Sequence, residues 1–177
     1  MAQKNATLQS LKKDLFATSE EIVMKALKKL KTSGDRSVIE PMIQVYSKST
    51  GKIQTELKQM LSELKVSEAD DILLNAALED KYQSIRADLL SFVWNGGFQC
   101  NHRLKDIAWI GLNGDYMTTL ESLTLLDTLD GPFEEADLME AQIMIKEFLI
   151  ANKEDERVDL VTSIHETLRG FDSRILD

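Results

Sequence analysis

Cysteine is almost missing from this chain: Cys100 is the only one in 177 residues. No disulfide can form within the molecule, and a structural zinc site lacks its usual ligand set. With two histidines, His102 and His165, separated by more than sixty positions, no histidine pair at metal-ligating spacing exists either. Two prolines and eight glycines leave few places where a helix must break, and aromatic residues make up only 6%. No apolar run approaches bilayer length, so no membrane partner is expected. The amino-terminal stretch, residues 1–15, is interrupted by polar residues every few positions, so neither a signal peptide nor an anchor is read there, and a cytoplasmic location is the default expectation. No Gly-rich phosphate loop, nucleophile elbow or calcium-loop pattern occurs, so no cofactor is expected.

What is present is a repeating amphipathic helix. One copy starts at Ile22 and is echoed at Ile53, Ile85 and Thr119, spaced 31, 32 and 34 residues apart. A period in this range predicts an all-α chain of stacked helical hairpins, an α-solenoid, because one hairpin cannot cover its own apolar face and must stack on the next. Hydrophobic residues at 43% and charged residues at 29% suit such a folded, helix-rich chain. The length is that of a single repeat domain covering 1–177, with no room for two of ordinary size.

Periodicity and breakers place ten helices, in about five antiparallel hairpins. Leu8, Leu11, Leu15 and Phe16 mark the first, which serves with residues 1–18 as a cap. Thr18-Ser19-Glu20-Glu21 reads as a capping box opening the second, which Gly34 ends as a left-handed cap. Asp35 caps a third over Arg36 to Lys48, bent near Pro41; the fourth covers Thr50 to Lys65; Ser67 opens the fifth. The sixth runs from Lys81 to Asn95 and stops at Gly96-Gly97. The seventh spans His102 to Leu112, where Gly111 hints at a close backbone approach, and the eighth spans Tyr116 to Leu129, burying Leu120, Leu123, Leu125 and Leu126. Asp130-Gly131-Pro132 stops it, and residues 131–177 form a closing pair: Glu134 to Ala151, then a helix on Val158, Val161, Ile164 and Leu168. Leu57, Leu89 and Leu123 are expected at equivalent buried positions on successive second helices.

Residues 34–43, Gly-Asp-Arg-Ser-Val-Ile-Glu-Pro-Met-Ile, and residues 80–89, Asp-Lys-Tyr-Gln-Ser-Ile-Arg-Ala-Asp-Leu, resemble the turns and helix starts of the HEAT-repeat family, within it the HEAT-like repeats first associated with phycobilisome lyases. Gly114-Asp115 resembles the same turn. The likeness is best over 19–130, and the chain departs from the pattern where Leu89, Leu90 and Leu120 replace alanines common in the family's second helix. The resemblance implies a right-handed superhelix whose second helices line an inner surface, with scaffolding or partner binding as the usual role. It carries no catalytic residue to this chain.

Charge is distributed unevenly. Residues 1–31 hold seven lysines against three acids, a balance of +4, whereas 113–177 hold five basic and sixteen acidic residues, a balance of −11 within an overall −9. Most of the chain would repel a polyanion, so no nucleic-acid partner is expected. The basic start and acidic end could attract each other between molecules, giving weak end-to-end association at low salt. The acidic clusters at 127–137 and 154–156 lack calcium-loop spacing and read as helix-start and solubilising groups.

Two candidate surfaces remain. On the sixth helix Leu90 and Trp94 stand where the fourth has Lys58 and Ser62, so an apolar pair replaces a polar one. Either that helix is covered on both faces, in which case the polar ridge of Thr55, Lys58, Gln59 and Ser62 on the fourth helix is the candidate surface, or Leu90 and Trp94 are apolar anchors for a partner. Trp109 reads as core. The sequence therefore points to a non-enzymatic scaffold that binds a protein or peptide. The alternative is a lyase-like enzyme or small-ligand carrier using a groove near Cys100, His102 and Trp94.

Overall fold

A computed structural model describes residues 2–175; residues 1 and 176–177, at the two ends of the expected 1–177 repeat domain, lie outside the described residues. Ten α-helices follow in chain order: α1 (Ala2–Asp14), α2 (Glu20–Ser33), α3 (Ile39–Tyr46), α4 (Gly51–Ser62), α5 (Ala69–Leu78), α6 (Arg86–Gly96), α7 (Leu104–Leu112), α8 (Tyr116–Asp127), α9 (Glu135–Ala151) and α10 (Val158–Gly170). Among the described residues the only β geometry is an isolated parallel bridge between Phe133 and Ile175. The all-α class and the count of ten helices are as the periodicity predicts.

The chain was read as one domain; its contacts gather it into two compact units, Met1–Ile72 and Leu73–Asp177, and the division falls inside α5. In the first unit α1 packs on α2, α3 on α4, and α2 on α4. The last contact joins the second helices of consecutive hairpins, the pattern a hairpin stack requires. Leu8, Leu11 and Leu15 of the first hairpin are buried at helical spacing along with Val23, Leu27 and Leu30, and Ile39, Met42, Ile43 and Tyr46 of the second along with Leu57 and Leu61. In the second unit α6 packs on α8 and α8 on α10, while α7 packs on α9. First helices stack on first and second on second, around Leu89, Phe92, Ile107, Ile110, Leu126, Ile145 and Ile164. The unit closes where the Phe133 and Phe171 rings stack at 4.1 Å and the Phe133 amide donates to the Arg174 carbonyl.

Several local expectations are corrected. No capping box forms before α2: Ser19, not Thr18, is the N-cap and its side chain makes no capping bond, while Glu21 pairs with Lys25 at 2.6 Å one turn on. Gly34 is extended (φ −67°, ψ 155°), not left-handed; a Cβ there would come within 2.7 Å of the Leu30 carbonyl oxygen, so its role is close approach. The third and sixth helices each begin later than predicted, behind short 3₁₀ segments at Arg36–Val38 and Asp80–Ile85. Asp35 does cap the first of these, accepting from the Ser37 amide at 2.9 Å. Gly97, at φ 70°, ends α6 in the left-handed region. Ile22, the first mark of the repeat, faces solvent, whereas Ile85 and Thr119 are buried.

Candidate functional site

Between the carboxyl end of α2, the 3₁₀ turn before α3 and the carboxyl end of α4, the first unit holds a cleft of about 360 Å³. Its floor is apolar: Val38, Ile39, Met42 and Met60 are buried, and half-buried Leu64 and Val66 form one lip. Lys31, Asp35, Glu63 and Lys65 stand around the mouth. Because α4 stops at Ser62, Leu64 and Val66 of the segment after it line the cleft together with Asp35 and Val38 of the turn that Asp35 caps. Gly34 opens the other wall, since any side chain there meets the Leu30 carbonyl. Lys31 is paired with Glu56 at 2.6 Å. Two methionines in the floor give a lining that adapts to differently shaped apolar groups. The cavity has the volume of a small-ligand pocket or of one or two large side chains, with mixed charge at its mouth.

The predicted polar ridge lies on the same helix. Thr55, Lys58 and Gln59 are exposed and Ser62 is half-buried. Thr55 and Ser62 donate back to the Gly51 and Lys58 carbonyls of their own helix. Gln59 donates to Glu63 at 2.9 Å, which ties that end of the ridge to the mouth of the cleft. Thr55 instead borders a shallow groove with Met24, Gly51 and Lys52.

The helix-six pair behaves differently from an exposed anchor. Leu90 is fully buried and offers no surface to a partner, which corrects its place among the candidates. Trp94 is half-buried, and its indole N–H donates to Glu121 at 2.7 Å, so it joins α6 to α8. Two apolar residues replace Lys58 and Ser62 at positions where Leu90 is enclosed and Trp94 is tied to α8. The groove imagined near Cys100, His102 and Trp94 also loses its reactive group: Cys100 is completely enclosed, while His102 is exposed. Among the described residues no group of three His, Cys, Asp or Glu side chains is placed to hold a metal ion, and no helix is long and apolar enough to cross a membrane.

A buried polar framework in the second unit went unread in the sequence. Arg86, 2% exposed, donates to the Ala77 and Asn113 carbonyls at 2.8 and 2.9 Å and stacks its guanidinium over the half-buried Trp109. Arg157 donates to the Leu112 and Gly114 carbonyls and is held in place by both oxygens of Asp155. Two arginines thus grip the turn at the carboxyl end of α7, where the helix dipole favours a cation. The same contacts pull the Asp155 carboxyl down to about 2. At the other end of α7, Asp137 of α9 accepts the Leu104 amide at 2.7 Å and the Lys105 amide; burial pushes its carboxyl above the usual range against those two donors. His165 keeps a buried Nε2 without a hydrogen-bond partner, and burial, with the nearby Lys146 and Arg169, lowers its pKa. The signal for Arg86 was the Ile85-Arg86 step within the family-like segment; nothing in the sequence marked Arg157.

Both arginines spend their donors on backbone carbonyls and neighbouring carboxylates, so the chemistry they offer is structural. Comparison of the chain with protein-family models, curated proteins and solved structures finds no match in any of the three. The geometry alone defines the class, an all-α protein of stacked helical hairpins.

Proposed function

We propose that this protein is a non-enzymatic, HEAT-like scaffold that binds a protein or peptide, and that the cleft between α2, α3 and α4 seats an apolar anchor of that partner. The observation that carries this reading is the cleft itself: an open apolar floor of Met42, Met60 and Val38 ringed by charges. Interface hot spots are buried aromatic or aliphatic anchors surrounded by a polar rim. The ridge of Gln59 and Glu63 beside the mouth would bond the backbone flanking the anchor. Soluble binding in the cytoplasm remains the setting in which such a scaffold works.

Selection of displayed random peptides on the protein tests this. Selected peptides should share one large aliphatic or aromatic residue and shift amide resonances of Met42, Met60 and Val66. Met60→Lys, checked for folding by circular dichroism, should weaken them at least about tenfold, the loss of roughly 1.4 kcal/mol. Peptides that bind Met60→Lys unchanged, or that perturb only the second unit, would remove the cleft from the proposal.

A further inference from the structure

Two uncovered apolar surfaces of opposite charge lie at the two ends of the chain. On α9, Met139, Ile143 and Ile150 are 54%, 47% and 73% exposed. At one hundred degrees per residue they fall within about 40° of one another, on the side away from buried Leu138, Ala141 and Ile145. The stripe is about 16 Å long at 1.5 Å per residue. Glu140 and Glu147 flank it on one side and the exposed Lys146 stands within it, so α9 stays acidic in balance, in the portion of the chain whose balance is −11. At the other end, Phe16 in the turn between α1 and α2 and Ile22 in the first turn of α2 are 55% and 44% exposed. Ile22 shares its face with Lys25 and Lys29, in the segment whose balance is +4.

We infer that copies of this chain associate head to tail, the α9 face of one receiving the Phe16 and Ile22 face of the next. Charge chooses the occupant. Two α9 faces would bring acidic surfaces together, whereas Lys25 and Lys29 offer cations to Glu140 and Glu147. Those four side chains are now engaged only in exposed surface pairing, as with Lys25 to Glu21 and Lys105 to Glu140, or open to solvent, so exchanging partners costs little. The contact uses different surfaces on the two copies, so it is heterologous, and a pair of copies keeps one unused head and one unused tail. A few side chains on each side fall well short of the roughly 1,200 to 2,000 Å² of a stable interface, which makes the association weak and dependent on protein concentration. It is independent of the cleft, and Met60→Lys should leave it intact.

Sedimentation equilibrium is the test. In about 0.01 M salt the weight-average mass should climb with concentration to at least about 1.5-fold the monomer mass, and fall back to the monomer by about 0.15 M as the screening length drops from roughly 30 to 8 Å. A double variant Lys25→Glu/Lys29→Glu and a double variant Ile143→Asp/Ile150→Asp should each be monomeric at low salt. All four sites are on the surface, and circular dichroism confirms folding. Mixed together, the two variants should form dimers that grow no further, because one retains only a working tail and the other only a working head. Monomers at every salt concentration, association insensitive to salt, persistent association of the Lys25→Glu/Lys29→Glu variant, or a mixture that stays monomeric would each overturn the inference.

Discussion

Replacing Gly111 by Ala should destabilise the second unit although alanine is the better helix former. Gly111 is the next-to-last residue of α7, and a Cβ built there would stand 2.7 Å from Ser122 Oγ and 2.8 Å from Ser122 Cβ, on α8. Ser122 cannot swing aside freely, because its hydroxyl donates to the Ile107 carbonyl at 2.8 Å in a fully buried position. Rotating Ser122 would not move its Cβ, so α7 and α8 must separate, at an overpacking cost of about 1 to 3 kcal/mol. Against this stands a helix-propensity gain of up to about 1 kcal/mol, reduced near a helix end. The expected net loss is therefore about 1 to 2 kcal/mol. Both tryptophans, Trp94 and Trp109, belong to the second unit, so urea unfolding followed by their fluorescence reads that unit. The sharper measurement is a cycle with Ser122→Gly. In that background the clash partner is gone, and Gly111→Ala should be neutral or stabilising, a coupling of at least about 1 kcal/mol. Additive effects, or Gly111→Ala stabilising the otherwise unaltered chain, would refute the claim that α7 and α8 approach closely at Gly111 and Ser122.

Arg86→Lys should cost about 1 to 3 kcal/mol, because one ammonium cannot reach both the Ala77 and Asn113 carbonyls that the guanidinium bridges; an unchanged urea midpoint would show the fork to be dispensable. The Asp155 carboxyl, at about 2 in the folded protein, lies below the ordinary 3.8 of an unfolded chain, so its stabilising contribution is complete above about pH 4 and is lost as pH falls through 2. The difference in stability between the parent chain and Asp155→Asn should therefore shrink across that interval, and a difference constant from pH 5 to pH 2 would contradict the pairing with Arg157.

Much of the fold was legible because long helices between strong breakers leave a clear period. The helix over 135–151 begins one residue from its predicted start and ends where predicted, bounded by Gly131-Pro132 before it and by Asn152 after it. Gly111 as a point of close approach was read correctly from a lone glycine in an apolar helix. The 3₁₀ turns before α3 and α6 were missed because a single turn with three-residue spacing has almost the same apolar pattern as one with four. On α8 an apolar stripe of Leu120 and Leu123 was expected, with Leu123 equivalent to Leu57 and Leu89. Leu57 and Leu89 are fully buried, but Leu120 and Leu123 are half-buried, and the face turned to α7 carries Thr119 and Ser122 instead. Their hydroxyls donate to the Gly111 and Ile107 carbonyls, so the small polar residues belong in the core at this contact. Hydrophobicity alone ranks them as outward-facing, and only the partner helix supplies the acceptors. The cleft was unreadable for a related reason: its walls come from three segments, and where α4 stops is decided by packing more than by propensity.

The ends of a helical-hairpin stack are where sequence and architecture disagree most usefully. In stacks of this kind the faces that no neighbouring hairpin covers are ordinarily polar. The last hairpin follows that rule on α10, whose side chains away from the core include Asp159, Glu166 and Arg169. It breaks the rule on α9, where three large apolar side chains stand in solvent at the spacing of a single face. Burying these residues within the chain would need another helix beside α9, and α7 and α10 already occupy the opposite side. Interspersed charges at Glu140, Lys146 and Glu147 keep the stripe from being a continuous apolar patch, which limits adventitious sticking while leaving room for a partner of matching charge. A face with that composition is suited to repeated, reversible contact, and the lysine-bearing face of α2 is the surface within this same chain whose charge and exposed side chains answer it.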